Sequence, residues 1–194
     1  MEIQQALEIV SYKLGAKIGE SALSDSTLIK KEVEQAIRDK AADSLRKIDA
    51  RSYMMATKLV KAERLRLARV AGEAFLTNNA TAEGVETTAS GLQYKVLQAG
   101  TGSSPLLSNQ VTVHYHGTLI DGTVFDSSVE RGSPASFAVN KVIEGWKEGI
   151  QLMSAGAKFQ FFIPQNLAYG DRGTETTVPP FATLIFEVEL LAID

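Results

Sequence analysis

At 194 residues, with 44% apolar and 22% charged residues, the chain has the composition of a globular protein and not of a disordered one. Its formal charge of -3 divides into +3 over residues 1–80 and -6 over residues 81–194, which points to two regions and excludes nucleic acid as the partner of the second, because phosphate contacts need clustered Lys and Arg. Cysteine is absent, which excludes disulfides and thiolate chemistry, and no window approaches the roughly 18 uninterrupted apolar residues of a membrane span.

Ile3, Leu7, Val10, Leu14 and Ile18 recur at helical spacing and make one apolar stripe. The cluster Ser24-Asp25-Ser26 caps a second, weaker stripe of Ile29, Val33, Ala36 and Ile37. Asp49 caps a third segment, which runs from Ala50 to about Asn79 without proline. At ~1.5 Å per residue this helix is expected to be roughly 45 Å long. Tyr53, Ala56, Val60, Leu67, Val70 and Ala74 follow a near-heptad repeat along it, interrupted by Glu63 and Arg64. The middle is expected to be a solvated stalk, with Arg64, Arg66 and Arg69 on a solvated face. Residues 77–90 lack apolar periodicity and read as helix end and linker.

Beyond the linker the period changes from helical to alternating. Leu92, Tyr94 and Val96 alternate, as do Val111, Val113 and Tyr115, then Phe159, Phe161 and Ile163, then Leu184, Phe186, Val188 and Leu190. Asp121-Gly122 predicts a two-residue hairpin turn that folds Phe125 and Asp126 back toward Tyr115. Ile143, Trp146, Ile150 and Met153 predict one short amphipathic helix laid on the sheet. Strands with one covering helix make an α+β layer arrangement.

The ordered blocks HYHGTL, DGTVFDSS, VIEGW, LAYGDRG and PPFATLIFEVELL resemble the FKBP-type peptidyl-prolyl isomerases over roughly Ala89 to Asp194. A helical start, a long helix and then GLQYKVLQAGTG resemble the bacterial macrophage-infectivity-potentiator-like subgroup. The resemblance implies a helical dimerisation region over 1–48, a long connecting helix and linker over 49–88, and an isomerase domain over 89–194, a twisted antiparallel sheet wrapped on a short helix. It also implies that the last of these carries the complete site and stands alone.

By motif, Tyr115, Phe125, Trp146 and Phe186 would receive a proline ring, with Phe137 and Val142 beside them and Val178 closing one side. Ile143 would offer its N–H and Tyr169 its phenol to substrate carbonyls, while Asp126, held by Arg131, would lie at the pocket edge. Read without the family pattern, such aromatics are ordinary core residues and Asp126 is a turn cap. His114 and His116 have metal-compatible spacing but no third ligand in the sequence, so neither metal nor cofactor is expected. Ala135 and Thr177 depart from the family pattern and are expected to weaken macrolide binding more than turnover. The implied partners are proline-containing segments of unfolded chains and a second copy of the chain. The alternative function is a chaperone clamp that binds such segments without turning them over. The first 30 residues lack the pattern of a secretory signal, so the expected compartment is the cytoplasm, with a periplasmic protein whose signal has been removed as the alternative.

Overall fold

This computed structural model describes residues 50–194. The stripes expected around Ile3–Ile18 and Ile29–Ile37, and the Asp49 cap, lie outside the described residues. The long helix is present as α1, Ala50–Asn79. The chain divides into compact units between Arg66 and Leu67, within this helix, so the second unit carries the last turns of α1 together with the sheet.

Seven strands follow, β1 (Val85–Thr87), β2 (Gln93–Gln98), β3 (Gln110–Leu119), β4 (Val124–Ser127), β5 (Ala135–Ala138), β6 (Lys158–Ile163) and β7 (Leu184–Ile193). A second helix, α2 (Glu144–Leu152), lies between β5 and β6. All pairs are antiparallel, in the order β1-β2-β6-β7-β3-β4, with β5 also on β3. This agrees with the expected α+β sheet, with one addition. The stretch read as linker contains β1, which pairs Glu86 with Tyr94 and receives a 2.7 Å hydrogen bond from the Tyr94 hydroxyl to Glu86. Three residues are too few to show a periodicity.

Both faces of β6 are covered. On one, α2 brings glycines against the sheet: a Cβ on Gly145 would lie 2.5 Å from Ile163, and one on Gly149 2.7 Å from Phe161. On the other, the last turns of α1 dock through Phe75, whose ring centroid lies 6.0 Å from that of Phe162. Gln93 donates to Leu76 O and accepts from Asn79, each at 2.8 Å. The residues of α1 that meet the sheet are thus Gly72, Phe75, Leu76 and Asn79, at helical spacing. Leu67, Val70 and Ala74 of the near-heptad repeat are exposed. Helix periodicity alone cannot say which stripe meets a sheet, and here hydrogen bonding by Gln93 and the Phe162 ring decide it. The same covering makes Gln93 buried while Val96 is exposed, against the expected alternation of β2.

The β3–β4 connection is a three-residue loop, closed by Leu119 N–H to Thr123 O at 2.9 Å, and not the expected two-residue turn. A two-residue turn of the Asp-Gly kind needs positive φ at both central residues. Only Gly122 has it, at 85°, while Asp121 accepts from Thr123 N–H at 2.9 Å.

Residues 89–194 alone would lose β1 and the cover over Phe162 and Gln93. A 67–194 fragment is therefore expected to be more stable than an 89–194 fragment by roughly 3–5 kcal/mol, the scale of losing a buried aromatic contact. Urea unfolding of the two fragments measures this; equal midpoints would show that the helix end adds nothing to the sheet.

Candidate active site

Strand β3 divides its outer edge. Its first half pairs with β5, Val113 opposite Ala135, and its second half with β4, His116 opposite Ser127. Tyr115 lies between the two partners. There Ser128 completes the ladder: its N–H donates to Tyr115 O at 3.0 Å and its hydroxyl accepts from Tyr115 N–H at 2.8 Å. His114 Nδ1 lies 3.0 Å from the Ser128 hydroxyl and His116 Nδ1 3.0 Å from that of Ser127, so both imidazoles belong to this junction. Among the described residues there is no group of three or more metal-ligating side chains.

On β4 the register passes from Gly117–Asp126 to Thr118–Val124, leaving Phe125 as an extra, bulged residue. A bulge re-aims side chains that would otherwise alternate, and here Phe125 and Asp126 both reach the inner face. Phe125 meets Phe186 edge-on at 5.2 Å, and the Asp126 carboxylate accepts from the Tyr115 hydroxyl at 2.6 Å. Gly117 makes room for this. A Cβ there would lie 2.7 Å from the Phe186 ring and 2.8 Å from that of Phe125.

Five of the six predicted aromatic residues, all but Tyr169, form one cluster. Trp146, from α2, lies edge-on to Tyr115 at 5.4 Å, to Phe137 at 5.6 Å and to Phe186 at 5.1 Å. Tyr115 also lies 6.0 Å from Phe137 and 6.2 Å from Phe186. Such pairs each add about 0.5–1.5 kcal/mol beyond their buried area. Val178 is buried in the same apolar cluster, and Val142 and Ile143 pack against it. The Trp146 Nε1–H is buried without a hydrogen-bond partner, a polar atom left open beneath the rings. Among the described residues no acceptor takes the Ile143 N–H at the head of α2.

At the rim, Arg131 is paired with the Asp126 carboxylate and donates to the Tyr115 hydroxyl at 2.7 Å, its guanidinium 5.5 Å from the Tyr115 ring centre. Burial works to raise the Asp126 pKa, but hydrogen bonds from Tyr115 and Arg131, and the Arg131 charge, outweigh it and hold the carboxyl below the usual range. Burial first, then the bond to Asp126, pushes the Tyr115 phenol up. Tyr169 is 40% exposed, and its phenol is raised by burial and by the negative charge of Asp126, so it stands within electrostatic reach of that carboxylate. The structure thus brings together ten of the predicted residues; Tyr169 makes no ring contact or side-chain hydrogen bond with them.

Sequence reasoning missed the residues that hold the site in shape. Gly117 was legible as a glycine interrupting a strand. Ser128 and Thr174 were not, since each acts through backbone groups. The Thr174 hydroxyl accepts from Val178 N–H at 2.8 Å and Thr177 N–H at 3.2 Å, which fixes Val178 at the site edge and leaves Thr177 exposed.

Comparison with known proteins gives the family. A family model described as FKBP-type peptidyl-prolyl cis-trans isomerase matches residues 102–191, and one for the domain amino terminal to it matches residues 7–96. The crystal structure of FkpA from Escherichia coli is 33% identical, with a TM-score of 0.68 over 99% of this chain and 89% of that one. This chain belongs to the FKBP-type peptidyl-prolyl cis-trans isomerase family. The FKBP-type 22 kDa isomerase of Escherichia coli K12 is 53% identical over 134 residues, 69% of this chain and 65% of that protein. The outer membrane protein MIP of Legionella longbeachae is 50% identical over 122 residues, 63% of this chain and 52% of that protein. The chain therefore spans about half to two thirds of these curated FKBP-type relatives.

The lowered Asp126 pKa has a consequence for stability. A carboxyl depressed in the folded state contributes stability that is fully present above its unfolded value of about 3.9 and is lost as pH falls through its folded value. Asp126→Asn is expected to show a shallower fall in urea midpoint below about pH 4 than the wild type. Parallel acid limbs in the two proteins would mean that the Tyr115–Asp126–Arg131 bonds do not hold the carboxylate charged.

Proposed function

We propose that this chain accelerates cis–trans isomerisation of X-Pro bonds in folding proteins by stabilising a twisted amide without covalent chemistry. The barrier to rotation is ~18–20 kcal/mol because of amide resonance, whereas the isomers differ by only ~0.5–1 kcal/mol. No nucleophile is needed. A twisted amide has lost C–N double-bond character and has a less polar carbonyl, so an apolar, water-poor surface favours it over the planar form.

The observation that carries this reading is the cluster of Tyr115, Phe125, Phe137, Trp146 and Phe186 with Asp126 and Arg131 at its rim. In this reading the rings and Val142 receive the proline, Val178 closes one side, and Asp126 acts on the bound amide as a fixed charge. The Ile143 N–H and the Tyr169 phenol take substrate carbonyls. Ala135 and Thr177 remove apolar surface from the rim, which weakens a macrolide more than a short peptide.

Phe125→Ala removes one wall, and Asp126→Ala leaves Arg131 without its carboxylate. Each is expected to lower turnover of an X-Pro peptide at least about tenfold, or ~1.4 kcal/mol of transition-state stabilisation, with the domain still folded. Wild-type rates in both variants would remove the site. Peptide binding by the wild-type chain without turnover would instead support the clamp.

The stripe Ile3, Leu7, Val10, Leu14 and Ile18 supports a symmetric dimer in which two chains bury it mutually. A client touching two sites gains effective concentration at the second, whereas a short peptide gains nothing. Leu7→Glu combined with Leu14→Glu is expected to give a monomer with normal peptide turnover and slower proline-limited protein refolding. Sedimentation and refolding kinetics check both parts; a variant that stays dimeric, or refolds protein as fast, contradicts the account. As to compartment, the outer-membrane name of the Legionella relative favours the exported alternative, and the relatives lend the cytoplasmic expectation no support.

A further inference from the structure

We propose that Gly72, in the last turns of α1, and Thr183, just before β7, form a seat that holds the loop carrying Tyr169 and Val178, and that Gly72 is thereby a positioning residue for isomerisation. The proposal rests on the isomerase reading above. Glycine is a poorer helix former than alanine, so its presence in α1 calls for a packing reason. Gly72 is buried, and a Cβ there would lie 2.6 Å from Thr183 Oγ1, 3.5 Å from Thr183 Cβ and 3.8 Å from Phe181 O. Thr183 is only 3% exposed, and a β-branched side chain is stiff about χ1.

The helix cannot simply back away. On the same face Phe75 packs on Phe162 at 6.0 Å, Gln93 holds Leu76 O at 2.8 Å, and Asn79 holds Gln93 at 2.8 Å. Added bulk at residue 72 is therefore relieved on the other side, by moving the segment Phe181–Thr183.

That segment leads to the site in two short steps. Phe181 N–H donates to Gly170 O at 2.8 Å, next to Tyr169, and Ala182 N–H donates to Pro179 O at 3.3 Å, next to Val178. Phe181 itself has φ 61°, alone among the described non-glycine residues in the left-handed region. A bulky residue stays there only where its surroundings over-determine it. The buried Gly72–Thr183 contact supplies that determination from one end, and the Phe181–Gly170 bond supplies it from the other. The fit between a helix glycine and a threonine hydroxyl thus sets where Val178 and Tyr169 stand relative to the rings.

The test uses the full chain as wild type, Gly72→Ala, Thr183→Ala and the double variant. Two readouts are taken: steady-state isomerisation of an X-Pro peptide, and the NMR resonances of the Val178 methyls and Tyr169 ring. Gly72→Ala is expected to raise KM about fivefold with kcat within about twofold, the pattern of lost uniform binding, and to shift the Val178 and Tyr169 resonances. Removing the opposing hydroxyl and methyl in Gly72→Ala with Thr183→Ala is expected to restore both. The proposal is overturned if Gly72→Ala changes only the melting temperature, or if the double variant is no closer to wild type than the single one. Should Gly72→Ala fail to fold, Thr183→Ala alone, which empties the seat instead of crowding it, is expected to raise KM and to shift both resonances, and no movement overturns the seat. A wild type without turnover would remove the isomerase reading, while the resonances would still decide the seat.

Discussion

The arrangement depends on the close approach of two aromatic rings over Gly117. With a Cβ at that position 2.7 Å from Phe186 and 2.8 Å from Phe125, any other residue would push one ring off the strand. The rings come from different places: Phe186 from β7, which pairs directly across from Gly117, and Phe125 from the bulge on β4. Trp146 then stands on Phe186 and Tyr115 from the α2 side. Removing the clearance at Gly117 would disturb the ring contacts first and the Tyr115–Asp126 bond next, because Asp126 is paired with Gly117 itself.

The outer edge of β3 changes partner beside the site. β4 and β5 each take half of that edge, and at Tyr115 between them Ser128 completes the ladder, with Ser127 and Ser128 both buried. Buried polar groups without partners are costly. Here the two hydroxyls and the two imidazoles answer one another, so the interruption adds no unpaired side chain at the junction. Among the described residues the buried side-chain polar atom that remains without a partner is Trp146 Nε1, on the ring side.

What could be read in advance follows from where each signal resides. The alternation of Val111, Val113 and Tyr115, and of Leu184 through Leu190, survives because each strand has one buried face at those positions. The candidate residues were legible because the motif blocks carry them in order, and the structure gathers them. In β6 the expected Phe159, Phe161 and Ile163 are buried, but Phe162 beneath α1 is buried as well, since a helix covers each face of the strand. The near-heptad repeat of α1 does not mark the face that meets the sheet. Phe75 and Asn79 pack by meeting Phe162 and Gln93, residues distant in sequence whose position no local period reveals. The strand β1 was too short to announce itself, and the hairpin loop differed because one glycine cannot supply two positive φ angles.

The electrostatics of the rim restrict what Asp126 can do. One carboxylate oxygen accepts from Tyr115 and the other from Arg131, and together these hold the group charged below the ordinary range. A general base works best with a pKa near the operating pH. Asp126 is held below the ordinary carboxyl range, and the Tyr115 phenol, pushed up by burial and by Asp126, keeps its proton. Proton transfer is thus disfavoured at the very residues that stand closest to the rings. What remains is a fixed dipole and a fixed charge at the mouth of an apolar cluster, preorganised and without cost at the moment of reaction. In the reading proposed above, rotation about a bond asks for no more than that, so aromatic walls and one charged, Arg-paired carboxylate would serve where hydrolysis of the same amide would need a nucleophile.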